Sequence, residues 1–410
     1  MIKNQGMGKY QAYVWKGQNK WQKKVSGIIV ADGDFSAENQ ARQLGVSITY
    51  FKQRSVMLLS RGAAKSIKIA DIVFTMRQLS TLITSGIPLV QALEIMAEGL
   101  EKVKLRALLL TVRDNLATGG SFSEALSEHP QFFPPMLCGL IAAGEQSGTL
   151  DQIVKEIASY LERQEQLKRM IKKALYYPVT VICIALLIAI GMLVFLVPQF
   201  EAIYASFGAK LPAFTQAFVN FSNALRQYWW LMLIGVAAFV FGLLQLNKRS
   251  FRFQRMRDRL ILNMILFGDL ARKAIIARIC LTLSITLSAG IPLINALSQI
   301  TEASGNILFS EALAQTREEI TQGEPMAKSL QETYLFPALV IQMVNIGEKS
   351  GSLEEMLRKV AEYYREQVNA MVDGLTTMLE PILLVLISGV IGSFIIAMYL
   401  PIFNLGMAMK

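Results

Sequence analysis

Two short stretches hold a carboxylate and a hydroxyl at a spacing that could serve acid–base chemistry. "AAGEQSGTLDQ" sets Glu145 and Ser147 between Gly144 and Gly148, and "NIGEKSGSLEE" repeats the pattern as Gly347, Glu348, Ser350 and Gly351. A glutamate base beside a serine nucleophile is the catalytic reading. The conformational reading is stronger. Gly148 and Gly351 stand where a helix would end, in the left-handed region that glycine enters without a steric penalty. Thr149-x-x-Gln152 and Ser352-x-x-Glu355 then fit the capping box that starts a new helix. Each stretch is therefore expected to form a sharp corner between two helices. Glu145 and Glu348 would lie exposed on it, as candidates for contact with a partner or a cation.

The remaining inventory is poor in chemistry. His129 is the one histidine, which rules out His-pair metal sites and weighs against a Ser-His-Asp triad; in its Pro-flanked turn it is expected to be solvated. There is no Walker A pattern, no dinucleotide glycine fingerprint and no CxxC. Cys138, Cys183 and Cys280 are an odd set that implies no disulfide framework, and they read as small core residues. No catalytic residue, metal ligand or cofactor is assigned.

The elements that position the corners come in two copies. "SGIPLVQAL", with Gly86 and Pro88, returns as "AGIPLINAL", with Gly290 and Pro292; Phe133-Pro134 returns as Phe336-Pro337, Tyr177-Pro178 as Glu380-Pro381, and Pro198-x-Phe200 as Pro401-x-Phe403. A repeat of this length suits a duplicated domain and not a solenoid. Apolar residues recur at helical spacing in both copies, for example Ile72, Met76 and Leu79, then Ile276, Cys280 and Leu283, so each copy reads as a helical bundle.

With 53% apolar and 18% charged residues and a mean hydropathy of +0.38, the chain is more apolar than soluble proteins are. Residues 178–197, 228–246 and 381–400 are long and apolar enough to cross a bilayer. They hold no ionisable side chain, which disfavours a pump or ion-coupled transporter. Lys168, Arg169, Lys172 and Lys173 precede the first stretch, and Lys248, Arg249, Arg252, Arg255, Arg257 and Arg259 follow the second. Both flanks should face the cytoplasm, with the N-terminus inside and the C-terminus outside. The net charge of +10 then lies largely where anionic lipid attracts it, and no groove-reading motif points to nucleic acid.

The expected fold is mostly α: a polytopic membrane protein with two homologous cytoplasmic helical bundles, three transmembrane helices and a small N-terminal α+β module. Residues 1–59 form a ββαβ module and 60–69 its linker. Bundles over 70–177 and 247–380 lead into the first and third spans. A short periplasmic loop covers 198–227 and a periplasmic tail 401–410. Bundle and span are expected to be mechanically continuous through Pro178 and Pro381, where either proline could kink the helix. Small residues at helix-packing spacing, Ala185 and Ala189 in the first span and Ser388, Gly389, Gly392 and Ser393 in the third, are expected to bring helices close within lipid. Glu380, immediately before its proline, reads as a carboxylate at a helix start.

The paired "GIP" and "GE-x-SG" corners, "ALYYP" and "LEP" ahead of spans, and "AMYLPIFNLG" at the end resemble the inner-membrane platform proteins of type IV pili and type II secretion, over nearly the whole chain. "YVWKG" and "MYLPIFNLG" are most similar to the pilus branch. The resemblance implies a protein with no chemistry of its own, which oligomerises beneath the growing fibre. It would couple a hexameric assembly or retraction ATPase to the insertion or removal of major and minor prepilins, beside other inner-membrane alignment proteins of the pilus. A secretion platform acting on pseudopilins is the alternative within the family, and a small transporter or channel the alternative outside it. Glu380 would then be a candidate contact for a neighbouring subunit or prepilin.

Overall fold

A computed structural model describes residues 10–18, 24–43, 47–55, 67–199, 212–264 and 267–408. It divides into two compact units, one of Met1–Leu167, Arg278–Gly305 and Phe309–Ala361, the other of Lys168–Ala277, Asn306–Leu308 and Glu362–Lys410. The linker read over 60–69 falls mostly outside the described residues.

The first unit opens with β1 (Gln11–Gln18), β2 (Lys24–Ala31), α1 (Asp34–Gln43) and β3 (Ser47–Ser55), an antiparallel sheet ordered β2-β1-β3. Alternation along β1 divides its side chains between two cores, because successive residues point to opposite faces. Tyr10, Ala12 and Val30 join the core of the first helical bundle, while Tyr13, Trp15, Ile29 and Ala31 pack with Ala37 of α1 and Phe51. A polar cluster fastens the same edge. The Tyr10 hydroxyl donates to Asp114 at 2.7 Å, and Arg113 reaches Asp114 at 2.7 Å and Glu94 at 3.1 Å.

The first copy supplies α2 (Ile69–Thr84), α3 (Leu89–Glu98), α4 (Val103–Ala117), α5 (Phe122–Ser127), α6 (Pro135–Ser147) and α7 (Leu150–Gly191). Residues 192–199 prolong α7 through a π-helical turn, Met192–Leu196. After α8 (Ala213–Arg249) and α9 (Phe251–Asn263), the second copy supplies α10 (Gly268–Ser288), α11 (Leu293–Ala303), α12 (Ile307–Thr321), α13 (Met326–Glu332), α14 (Ala338–Ser350) and α15 (Leu353–Ala408).

Within the first unit the two bundles are not separate bodies. Ile285 of α10 is buried in the core of the first bundle, with Leu281, Ala289 and Ile291 packed against it. Tyr160 of α7 and Thr282 of α10 meet in a buried hydroxyl pair at 3.5 Å, and Gly139 of α6 makes room for the amide of Gln299. Sequence periodicity reports which face of a helix is apolar and not which bundle covers it.

In the second unit the helices carry an apolar surface open on the outside: Leu187 is 69% exposed, Phe241 67% and Val385 75%. Such a band is the mark of lipid contact. The ends of α7 and α15 and the first turns of α8 enclose a small core of Leu193, Val197, Val219 and Phe394, with Phe218 edge-on to Phe394 at 5.1 Å.

Bundle and span are continuous as expected, since Pro178 and Pro381 lie inside helices that run on through them, α7 and α15. Other local expectations change. Glu380 is consequently an exposed mid-helix residue and no cap, because the orphan donors a carboxylate could satisfy exist only in a first turn. The connection read as a loop over 198–227 is helical from Ala213 onward, and the tail is helical to Ala408. Among the described residues two helices are long and apolar enough to cross a membrane; α8 becomes a third only if its two parts, bent by 46° around Met232–Ile234, act as one span.

Candidate functional site: the duplicated helix corner

The corner is built from its glycines. Gly148 ends α6 at φ 71°, ψ 14°, and Gly351 ends α14 at φ 70°, ψ 11°, both left-handed. Gly144 and Gly347 serve close approach instead. A Cβ on Gly144 would come within 2.9 Å of Ile153 Cγ1, and one on Gly347 within 2.7 Å of the Leu353 Cα. The helix that leaves the corner folds directly over the helix that enters it.

That fold-over fixes the glutamates. Both oxygens of Glu145 accept backbone hydrogen bonds from the start of α5, Phe122 N–H at 2.6 Å and Ser123 N–H at 3.1 Å. Glu348 does the same for α13, accepting from Met326 N–H at 2.6 Å and Ala327 N–H at 3.0 Å. In the first copy Ser121 Oγ accepts from Glu124 N–H, so three consecutive orphan donors are satisfied; in the second copy Pro325 stands at the hydroxyl's place. Helices of six and seven residues are too short to persist on propensity alone. A carboxylate at the positive end of the helix stabilises each one through charge-assisted bonds.

The serines are engaged elsewhere. Ser147 Oγ donates to the Ala143 carbonyl at 2.8 Å and lies 2.7 Å from Thr149 Oγ1; Ser350 Oγ donates to Ile346 at 2.7 Å and lies 2.6 Å from Ser352 Oγ. Carboxylate and hydroxyl within one motif thus address different backbone groups, and the pair is no base and nucleophile. The expectation that Glu145 and Glu348 stand exposed is corrected: both are half-buried and bound to backbone. Among the described residues no group of three or more His, Cys, Asp or Glu side chains could hold a metal ion.

Other singled-out residues are distributed around this corner. Gly86 and Gly290 take φ 82° and 77°, and Pro88 and Pro292 occupy the N-cap positions of α3 and α11. Tyr177 is exposed beside buried Pro178. Ala185 and Ala189 line an apolar groove of about 250 Å³ with Ile387, Val390 and Phe394 of α15, whereas Gly389 and Gly392 have open space where a Cβ would stand, and Ser388 is exposed. Ser393 Oγ returns to its own helix at the Val390 carbonyl. Cys138 and Cys280 are buried and Cys183 exposed. His129 is corrected from solvated to buried, with Nε2 unpartnered and burial holding its pKa below the ordinary 6.5. Its carbonyl receives the N–H groups of Phe132 and Phe133, a tight turn that carries the ring inward.

Periodicity missed three polar contacts. Asp258 of α9 accepts from Ile307 N–H at 2.9 Å, a third instance of one element's carboxylate capping another's helix. Ser222 and Thr215 of α8 donate to the carbonyls of Leu193 at 2.5 Å and Ala397 at 2.7 Å. The only available signal for the last two was the repeated Pro-x-Phe, since proline removes an N–H and leaves an earlier carbonyl without its donor.

A duplicated bundle whose last helices run into long apolar segments is the architecture of a membrane protein. The pattern of the family described as "Type II secretion system (T2SS), protein F" matches residues 75–198 and again 279–401. The chain belongs to this family. It is 40% identical to the type IV pilus assembly protein PilC of Pseudomonas aeruginosa over 89% of this chain and 97% of that one, and 41% identical to TapC of Aeromonas hydrophila over 96% and 95%. To the type II secretion system protein F of Vibrio cholerae it is 27% identical over 98% of each chain. The resemblance read from the corners is borne out, with the type IV pilus relatives the more similar.

Proposed function

We propose that the protein is the inner-membrane platform of a type IV pilus assembly machine, coupling a cytoplasmic hexameric ATPase to the insertion or removal of prepilin subunits. The observation that carries this reading is the helix pair α7 and α15. Each starts at a glutamate-braced corner and continues without a break into an apolar segment, so a displacement at the corner is passed along a stiff rod. The identity to proteins named for pilus assembly favours prepilins over pseudopilins.

In this reading α8 is a bent third span, the N-terminus and the basic flanks lie in the cytoplasm, and the C-terminus lies outside. The platform acts as a homo-oligomer, in contact with assembly and retraction ATPases, prepilins and the alignment proteins of the machine. Photoreactive residues belong at Gln146 and Lys349, exposed neighbours of the structural glutamates. Crosslinking in cells should capture an ATPase subunit or another part of the pilus machine; capture of secretion components alone would move the protein to the other branch. Cysteine labelling should place Lys168 and Arg255 inside and Lys210 and Lys410 outside, and a cytoplasmic Lys410 would overturn the three-span arrangement.

A further inference from the structure

Helix α9 has three faces at 100° per residue. Asp258 and Leu262 are buried on one. Arg252, Arg255 and Arg259 are exposed along the second. Along the third, at i, i+4 and i+8, Met256 is 54% exposed, Leu260 59% and Met264 50%. Asp258, the one carboxylate of the helix, is turned inward to Arg257 and the Ile307 N–H.

The position of this helix names its partner. The apolar α8 ends at Arg249, Ser250 is extended, and its hydroxyl caps α9 by accepting from Phe253 N–H. Arg257 Nη1 then donates to Asn247 Oδ1 at 2.7 Å, and Gln254 donates to the Asn247 carbonyl. Both bonds turn α9 back onto the last turn of α8 instead of letting it run on away from the apolar segment. A helix tied there, with an apolar stripe beside a basic one, matches the surface of an anionic leaflet: apolar side chains enter the boundary of headgroups and acyl chains while guanidinium groups stay with the phosphates.

We propose that α9 lies in the plane of the membrane, with Met256, Leu260 and Met264 in the leaflet and Arg252 and Arg259 on anionic headgroups. The inference rests on reading α8 as a membrane span. It goes beyond that reading by giving the cytoplasmic rim a built lipid contact, which fixes the depth of α8 and the level at which the second bundle starts.

The test uses the full-length protein with Cys183→Ala, reconstituted in lipid nanodiscs, with a spin label at Leu260→Cys, Met256→Cys or Arg259→Cys. Collision with oxygen and with a water-soluble nickel chelate reports depth. In discs containing phosphatidylglycerol, labels at 256 and 260 should meet oxygen and be shielded from nickel, while the label at 259 meets nickel. Replacing the anionic lipid with phosphatidylcholine, or combining Arg252→Gln and Arg259→Gln, should lower the ratio of immersed to lifted helix on the order of 30-fold for two arginines. A label at 260 open to nickel in anionic discs overturns the proposal. So does one shielded from both reagents, which would mean that protein covers the stripe, and so does immersion indifferent to lipid charge. Nanodiscs present the same lipid on both sides, so none of these outcomes depends on which side is cytoplasmic. Failure of the span reading itself would show separately, as nickel access along residues 234–242 of α8.

Discussion

Thr215 Oγ1 donates to the carbonyl of Ala397 at 2.7 Å, and the residue four positions beyond Ala397 is Pro401. In a helix that carbonyl would receive the N–H of residue 401, which proline lacks. The other copy solves the same problem in a different register. Its π turn bonds Val197 N–H to the Met192 carbonyl, so the next N–H, for Leu193, would come from Pro198; Ser222 Oγ takes that place at 2.5 Å. One helix, α8, thus supplies a hydroxyl to the proline-released carbonyl of each repeat.

Thr215→Val keeps the shape and leaves the Ala397 carbonyl without a donor, so it should destabilise the protein in detergent by about 1 kcal/mol. Pro401→Ala restores the missing N–H. In that background Thr215→Val should be nearly silent, and thermal unfolding of the double-mutant cycle measures the difference. Equal effects in both backgrounds would show that the hydroxyl acts elsewhere.

Removing the Glu145 carboxylate strips two N–H groups at the start of α5 of their acceptor. Glu145→Ala and Glu348→Ala should each cost about 2 kcal/mol, with Gln costing less because one acceptor oxygen remains. Denaturant titration of the purified protein, or loss of abundance in cells, reads the effect. Folding at wild-type stability in both alanine variants would return these glutamates to the surface role that the sequence allowed.

Stability should fall on acidification through His129. Burial lowers its folded pKa below the ordinary 6.5, so the unfolded chain takes up the proton first. The contribution is fully present above 6.5 and is lost as pH falls toward the folded pKa, at up to about 1.4 kcal/mol per pH unit. Melting temperatures at pH 7.5 and 5.5 should diverge less in His129→Gln than in the wild type; an unchanged difference would assign the acid sensitivity to other groups.

Glu380 is exposed in the middle of α15, so Glu380→Gln should change stability by less than about 0.5 kcal/mol. Surface pili reduced at normal protein abundance would assign the carboxylate to a contact in assembly. Normal piliation would leave it without one, and loss of the protein would contradict its exposed position.

Much of the molecule was legible because its signals are local. Gly148 and Gly351 mark corners by a backbone conformation that needs no neighbour. Alternating strands and helical apolar spacing identify their elements from composition alone, and the repeat of Gly144 to Gly351 across two copies gives the family. What each side chain meets is a different matter. Nothing adjacent in sequence tells Glu145 that its carboxylate will find Phe122 and Ser123 after a helix and a turn, or Thr215 that it will meet a carbonyl 182 residues on. His129, polar and beside a proline, has the local character of a surface turn and is buried all the same. Glu380 looks like a cap until the helix is seen to run through Pro381, which it can do because losing one N–H costs a long helix one bond and not its continuity. Hydrogen-bond donors and acceptors orphaned at helix ends and at prolines must be satisfied, but sequence states only the need. The tertiary fold decided which distant residue meets it.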